Sequence, residues 1–267
     1  MGRYETMFSR VEELGQGAFI PFVVIGDPES ATSLDIIHAL IAGGADALEL
    51  GIPFSDPIAD GPTIQTATVR ALRAGVTPDR CFELLKKVRE DNDHIPIGLL
   101  VYANLVVANG EDAFYKQAAD AGVDSVLVAD VPVFEAEPFV DMASNHGIDP
   151  VFIAPPNADE ALLEEVARLT RGYTYVVARP GVTGANDEMA HRGEIFAALK
   201  KLGAPPGVIG FGISKPEHVR AALQEGASGA ISGSAVVRIV ERLAGDSRAM
   251  LGELEAFVRD MKEATKK

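Results

Sequence analysis

Short apolar, β-branched runs alternate with amphipathic stretches along the whole chain. Runs at 19–24, 47–51, 95–101, 125–129, 150–153, 173–178, 208–210 and 229–232 have the length of buried strands. Between them, segments 33–42, 81–89, 113–121, 160–169, 194–202 and 217–223 carry apolar residues at helical spacing. Strand–helix alternation repeated eight times over about 250 residues predicts a closed (β/α)8 TIM barrel. A doubly wound open sheet is the alternative, but it needs edge strands and usually has fewer units. Beyond the last strand, 235–243 and 249–265 read as closing helices. The expected fold is therefore α/β: a single (β/α)8 barrel domain over 1–267 with extra short helices, one of them after strand 8.

A weak internal repeat supports this construction. A-G-G-A-D-A-L-E-L, A-G-V-D-S-V-L-V-A and E-G-A-S-G-A-I-S-G each begin where a helix ends and run directly into a strand. Gly44, Gly122 and Gly226 suit the left-handed position after a helix C-terminus.

Composition narrows the class. Hydrophobic residues make up 47% and charged residues 24%, enough apolar surface for a large core. The net charge of -15 argues against non-specific binding to nucleic acid or anionic membrane, both of which need clustered Lys and Arg. It does not exclude an anionic substrate, because helix N-termini can hold phosphate without lysines. Cys81 is the single cysteine, which rules out an intrachain disulfide and fits a reducing compartment. No apolar run reaches the roughly 18 residues of a membrane span. M-G-R-Y-E-T-M-F lacks the order of a secretory signal. A soluble cytoplasmic protein is expected.

Active sites of such barrels lie at the C-terminal ends of the strands. The richest stretch there is L-E-L-G-I-P-F-S-D-P-I-A-D-G-P, residues 48–62. Alternation puts Glu49 on the face shared by Ala47 and Gly51, opposite Leu48 and Leu50. A carboxylate in a buried strand is costly unless paired, protonated or used. No basic residue stands near Glu49 in the sequence, which favours use as an acid/base group over a structural ion pair. Asp60, in Ala-Asp-Gly-Pro, is equally explained as a turn residue bonding its own backbone. Asp56 has the same explanation, and Asp27 and Asp130 read as loop-fixing groups.

Three glycine-bearing turns, 181–184, 210–214 and 232–234, share the same face. Each alone is compatible with a plain tight turn. Two of them follow strands 7 and 8, where barrels commonly hold phosphate, and Ser234 would open a short helix whose dipole favours an anion. Phe22, Leu100, Leu127, Ala129, Ile153, Tyr175, Phe211 and Ile231 fit either barrel core or the lining of an aromatic pocket. The five histidines have no metal-ligand spacing, so no metal site is expected, and no P-loop, Rossmann fingerprint or Ser-His-Asp elbow is present.

Taken together, E-L-G-I-P-F-S-D-P-I-A-D-G-P-T-I-Q, P-F-V-V-I-G-D-P, P-I-G-L-L-V-Y-A-N, D-S-V-L-V-A-D-V-P, P-P-N-A-D, G-V-T-G, G-F-G-I-S and A-I-S-G-S-A resemble the tryptophan synthase alpha chain family. The likeness runs from Tyr4 to the C-terminus. It implies a carbon–carbon lyase cleaving indole-3-glycerol phosphate to indole and glyceraldehyde 3-phosphate. It also implies a beta-chain partner, in an α2β2 assembly, that carries pyridoxal phosphate, with no cofactor in this chain.

By the same resemblance, Glu49 would be the general acid/base and Asp60 would hold the indole N–H. Phe22, Leu100, Leu127, Ala129, Ile153, Tyr175, Phe211 and Ile231 would surround the indole, with Thr183 closing over Asp60. Gly184, Gly212, Gly233 and Ser234 would bind the phosphate, and Pro53, Phe54, Asp56 and Pro57 would face the partner. Such a division of roles needs Glu49 raised by desolvation and Asp60 kept ionised beside its polar loop.

The departures from the family lie in one region, where the segment from Gly184 to Gly210 is about one residue shorter than in common members. Pro180 stands where a small residue usually precedes G-V-T-G, at the base of the closing loop that includes Gly181 and Thr183. Proline fixes φ and restricts Arg179. The expectation is retained chemistry with altered loop closure and partner activation. Two other readings compete. Indole-3-glycerol phosphate synthase would call for a lysine at a strand end, and none is found. A catalytically weak barrel that mainly activates a beta chain is opposed by the intact Glu49 and Asp60.

Overall fold

The computed structural model describes residues 2–177 and 188–266, with the backbone alone for 188–192. All ladders between its strands are parallel. The strands are β1 (Ala18–Val24), β2 (Leu48–Gly51), β3 (Ile97–Val101), β4 (Ser125–Val128), β5 (Asp149–Pro150), β6 (Ile153–Ala154), β7 (Thr174–Val177), β8 (Gly207–Gly210) and β9 (Gly229–Ser232). Their order in the sheet is β5-β4-β3-β2-β1-β9-β8-β7-β6. The two ends of that order, β5 and β6, are successive pieces of one strand. Val151 N–H bonds to Val126 O at 3.0 Å on one side, and Tyr175 N–H bonds to Phe152 O at 3.0 Å on the other. The sheet thus closes on itself with eight strand positions, the fifth broken by Pro150 and its neighbours. This is the (β/α)8 barrel expected from the sequence.

The helices are α1 (Arg3–Glu13), α2 (Ser30–Ala42), α3 (Pro62–Arg73), α4 (Pro78–Asp91), α5 (Ala103–Val107), α6 (Glu111–Asp120), α7 (Glu137–Asn145), α8 (Glu160–Leu169), α9 (Glu188–Lys201), α10 (Pro216–Gln224), α11 (Ser234–Leu243) and α12 (Ser247–Glu263). Four of these, α1, α3, α5 and α7, were not anticipated. Two of the four carry readable signals: Tyr4, Met7, Phe8 and Val11 form a buried helical stripe, and Pro62 occupies the first turn of α3. Gly44, Gly122 and Gly226 take φ of 99°, 76° and 104°, the left-handed joints expected between helix and strand.

Register fixes what points into the barrel. Phe22 pairs with Glu49, Glu49 with Gly98, and Gly98 with Ser125, so these four share the inner face. Val23, Leu50, Leu99 and Val126 alternate to the helix side. Gly98 is needed for its size: a Cβ there would lie 2.8 Å from both Ser125 Oγ and Tyr4 Oη. That space admits Tyr4 from α1, whose hydroxyl bonds Ser125 at 2.9 Å and whose ring lies 5.3 Å from that of Tyr173.

A buried ion pair braces the opposite end. Asp27, 4% exposed, binds Arg70 of α3 through Nε at 2.7 Å and a terminal guanidinium nitrogen at 2.8 Å. Arg70 also reaches Glu241 of α11 at 3.3 Å. One guanidinium therefore joins the loop after β1 to the two helices that begin at the candidate site. Asp130 fixes its loop as expected, accepting the Ala103 N–H at 2.7 Å.

Candidate active site

At the C-terminal ends of the strands lies a cavity of about 220 Å³. Its walls include Phe22 from β1, Glu49 from β2, Leu100 from β3, Tyr175 from β7 and Ile231 from β9. Asp60 and Ile64 close one side, and the turns carrying Phe211, Gly212, Gly233 and Ser234 close the other. The seven apolar and acidic positions Phe22, Glu49, Asp60, Leu100, Tyr175, Phe211 and Ile231, read from scattered segments, thus meet in one space.

Leu127, Ala129 and Ile153 do not join them. They line a separate cavity of about 420 Å³ with Val133, Phe134 and Leu162. The same cavity is lined by residues 129–134, which follow β4, and by residues 151–153 around the break in the fifth strand. Pro180, Gly181, Thr183 and Gly184 lie outside the described residues.

Glu49 is 2% exposed, and its Oε1 accepts the Tyr173 hydroxyl at 2.8 Å. Burial pushes the carboxyl up from the ordinary 4.5 to about 7, against the smaller opposing effect of Tyr173. No cation pairs with Glu49 among the described residues, so the structural ion pair weighed from sequence is not what holds it.

Asp60 sits just before Gly61, the N-cap of α3, and its carbonyl accepts from Gln65 at 2.8 Å. Its carboxyl is half-buried. Burial raises it as well, while the Tyr102 hydroxyl lowers it. The positive end of α3 acts in the same direction as Tyr102, favouring the carboxylate. The sequence implies an Asp60 kept ionised by its polar loop; in the structure desolvation outweighs the Tyr102 hydroxyl, and the net direction is upward. Tyr102 also accepts the Ala59 N–H at 3.2 Å and stacks on Phe54 at 5.3 Å, so it anchors the whole loop.

The loop residues expected to face a partner differ in exposure. Asp56 is exposed, Phe54 and Pro57 are half-buried, and Pro53 is buried within the chain.

The opposite wall is built by two joined turns. Ser232, fully buried, donates to Ile213 O at 2.7 Å, and Ser214 N–H donates to His218 Nδ1 at 3.2 Å. Phe211 adopts φ of 66°, the one positive value at a non-glycine among the described residues, and Gly212 follows at 80°. Left-handed backbone at a phenylalanine is strained and persists where surrounding structure imposes it. Its ring packs edge-on to Tyr175 at 6.3 Å. Tyr175 itself covers Gly210, where a Cβ would fall 2.1 Å from the phenol oxygen.

Gly233 is the N-cap of α11 and Ser234 its first residue. The first N–H groups of a helix have no partner within it. Those of α11 open beside Gly212, next to a region of space without neighbouring atoms. The arrangement suits a small anion.

An apolar slot, a carboxyl poised near neutrality, a second carboxylate and an anion cradle thus share one cavity. Comparison with known proteins places that cavity in a family: the model of the tryptophan synthase alpha chain matches residues 8–266. The chain belongs to the tryptophan synthase alpha family. It is 57% identical to the alpha chain of Escherichia fergusonii over 267 residues, covering 100% of both. It is 57% identical to that of Klebsiella pneumoniae over 269 residues, covering 100% of this chain and 99% of the other.

Among solved structures, the Legionella pneumophila alpha subunit superposes with TM-score 0.90 at 28% identity, covering 99% of this chain and 98% of that one. A chain of the tryptophan synthase α2β2 complex of Pyrococcus furiosus superposes with TM-score 0.83 at 36% identity, over 92% of this chain and 98% of that one. This alpha chain is accordingly a lyase of tryptophan biosynthesis that cleaves indole-3-glycerol phosphate and works with a beta chain.

Sequence reasoning missed Ile64, Tyr173, Ser214 and Arg238, all of which line the cavity or touch its carboxyl. Only Arg238 has a local signal, its place one helical turn beyond Ser234.

Proposed function

We propose that Glu49 and Asp60 divide the cleavage of indole-3-glycerol phosphate between them. The observation that carries this is a single cationless carboxyl, raised to about 7, facing the same cavity as Asp60. Indole is a poor leaving carbanion, so its ring carbon must be protonated before or during carbon–carbon cleavage. Glu49 in its acid form gives that proton to the ring carbon bearing the glycerol chain. Asp60 accepts the indole N–H and balances the positive charge that results. The carboxylate of Glu49 then takes the proton of the neighbouring hydroxyl. The O–H electron pair forms the aldehyde, and the breaking C–C pair restores the ring. Glu49 ends protonated as it began. A positioned proton-transfer group contributes about 10²–10⁴-fold, most effectively with a pKa near the working pH.

Phe22, Leu100, Tyr175, Phe211 and Ile231 supply the apolar slot for the indole. Gly212, Gly233 and Ser234 supply N–H groups to the phosphate. Support for the latter comes from the free first turn of α11 and the joined turns that aim it. Pyridoxal phosphate belongs in this reading to the beta chain, in an α2β2 assembly, with Asp56 on the contacting face. Residues 1–267 act as one cytoplasmic barrel domain. Measuring indole release from indole-3-glycerol phosphate, with this chain alone and with a beta chain, tests the reading. Release that rises with the partner is expected; none in either case would leave only an activating role.

A further inference from the structure

The cavity carries two carboxyl groups but must accept a phosphate ester, and the chain as a whole has a net charge of -15. An ionised Asp60, and Glu49 in the fraction of molecules where it is ionised, repel a dianion in a half-enclosed site strongly enough to matter for binding. Against them stands one basic side chain among the described residues of the cavity lining, Arg238.

Its position follows from helix geometry. Side chains lean toward the helix N-terminus, so a residue in the second turn covers the first. Arg238 does this: its Nε donates to Ser234 O at 3.0 Å, across the four residues of one turn. That bond ties the guanidinium to the first residue of α11, and both line the cavity. The two terminal nitrogens have no hydrogen bond or ion pair among the described residues, and the side chain is exposed at the cavity's rim. Lys215, the nearest cation in the other turn, is not part of the cavity lining.

We propose that Arg238 is a substrate-binding residue, supplying through its terminal nitrogens the cationic contact to the phosphate whose other oxygens meet Gly212, Gly233 and Ser234. The inference rests on the phosphate reading given above and adds a charge to what is otherwise a backbone cradle. A guanidinium can present two parallel donors to one phosphate, which a backbone turn cannot. It also attracts a dianion past Glu49 and Asp60, a contribution that salt weakens.

Titrating inorganic phosphate into the full chain, while following the amide resonances of Gly233 and Ser234, tests this directly. The wild type should show saturable shifts at both amides. Arg238→Gln should bind phosphate about tenfold more weakly, and Arg238→Lys should recover part of the loss. In steady state, Arg238→Gln should raise KM for indole-3-glycerol phosphate while leaving KM for uncharged indole in the reverse condensation alone. Because Arg238 is exposed, unaltered urea unfolding is expected for both variants. Equal phosphate affinity in wild type and Arg238→Gln overturns the role of Arg238 and leaves the cradle standing. Absence of shifts at Gly233 and Ser234 in the wild type overturns the cradle, and this inference with it.

Discussion

Replacing Glu49 by glutamine should make this alpha chain more stable, and increasingly so as pH rises. The carboxyl is 2% exposed, and the group that stabilises its charge is one tyrosine hydroxyl at 2.8 Å. Burial moves its pKa from 4.5 in the unfolded chain to about 7 in the folded one. The folded state then binds the proton more tightly than the unfolded state, so stability falls as pH rises between those values. At about 1.4 kcal/mol per pH unit, the full span corresponds to about 3 kcal/mol. Glutamine is never ionised and keeps an oxygen to accept from Tyr173. Its advantage over the wild type should therefore grow by less than about 1 kcal/mol by pH 5, about 2 kcal/mol by pH 6 and about 3 kcal/mol by pH 8, relative to pH 4. Urea unfolding of both proteins at these pH values reads the difference, and contributions from other titrating groups cancel in the comparison. A difference that stays constant from pH 4 to pH 8 refutes a desolvated Glu49.

Tyr173→Phe removes the hydroxyl that lowers the Glu49 pKa, so the corresponding limb of the pH–rate profile should move about one pH unit to the alkaline side; an unmoved limb contradicts this. Asp27→Asn leaves Arg70 with a neutral partner between α3 and α11, and urea unfolding should show a loss of about 3 kcal/mol, at the low end for broken buried pairs because Arg70 is 22% exposed. Gly210→Ala places a methyl within 2.1 Å of the Tyr175 phenol oxygen, so KM for indole should rise several-fold through displacement of that ring, with a stability loss of about 1–3 kcal/mol.

The barrel was legible because its signals are local. The strands other than the split fifth one lie in mainly apolar runs of four to seven residues, and each helix–strand joint at Gly44, Gly122 and Gly226 is announced by a glycine that must turn left-handed. Glu49 was legible for the same reason: a carboxylate in an apolar strand is anomalous within five residues of sequence. What surrounds it was not. Tyr173 lies 124 residues away and meets Glu49 only because the barrel closes. Leu127, Ala129 and Ile153 occupy strand ends just as Leu100 and Tyr175 do, yet they line another cavity, shared with the segment after β4 that sequence alone does not place. Asp60 gained a place in the site from α3, a helix whose Pro62 start was hidden in a proline-rich stretch read as loop. Arg238 has only its spacing of one helical turn from Ser234 to set it apart from other solvated positions on an amphipathic helix.

The central claim is that Glu49 moves the protons of the cleavage. Indole release from indole-3-glycerol phosphate, measured for wild type and Glu49→Gln in the presence of the beta chain, tests it most directly. A fall of at least about a hundredfold in a variant that still binds the beta chain is the predicted result. Release at the wild-type rate by Glu49→Gln would contradict it.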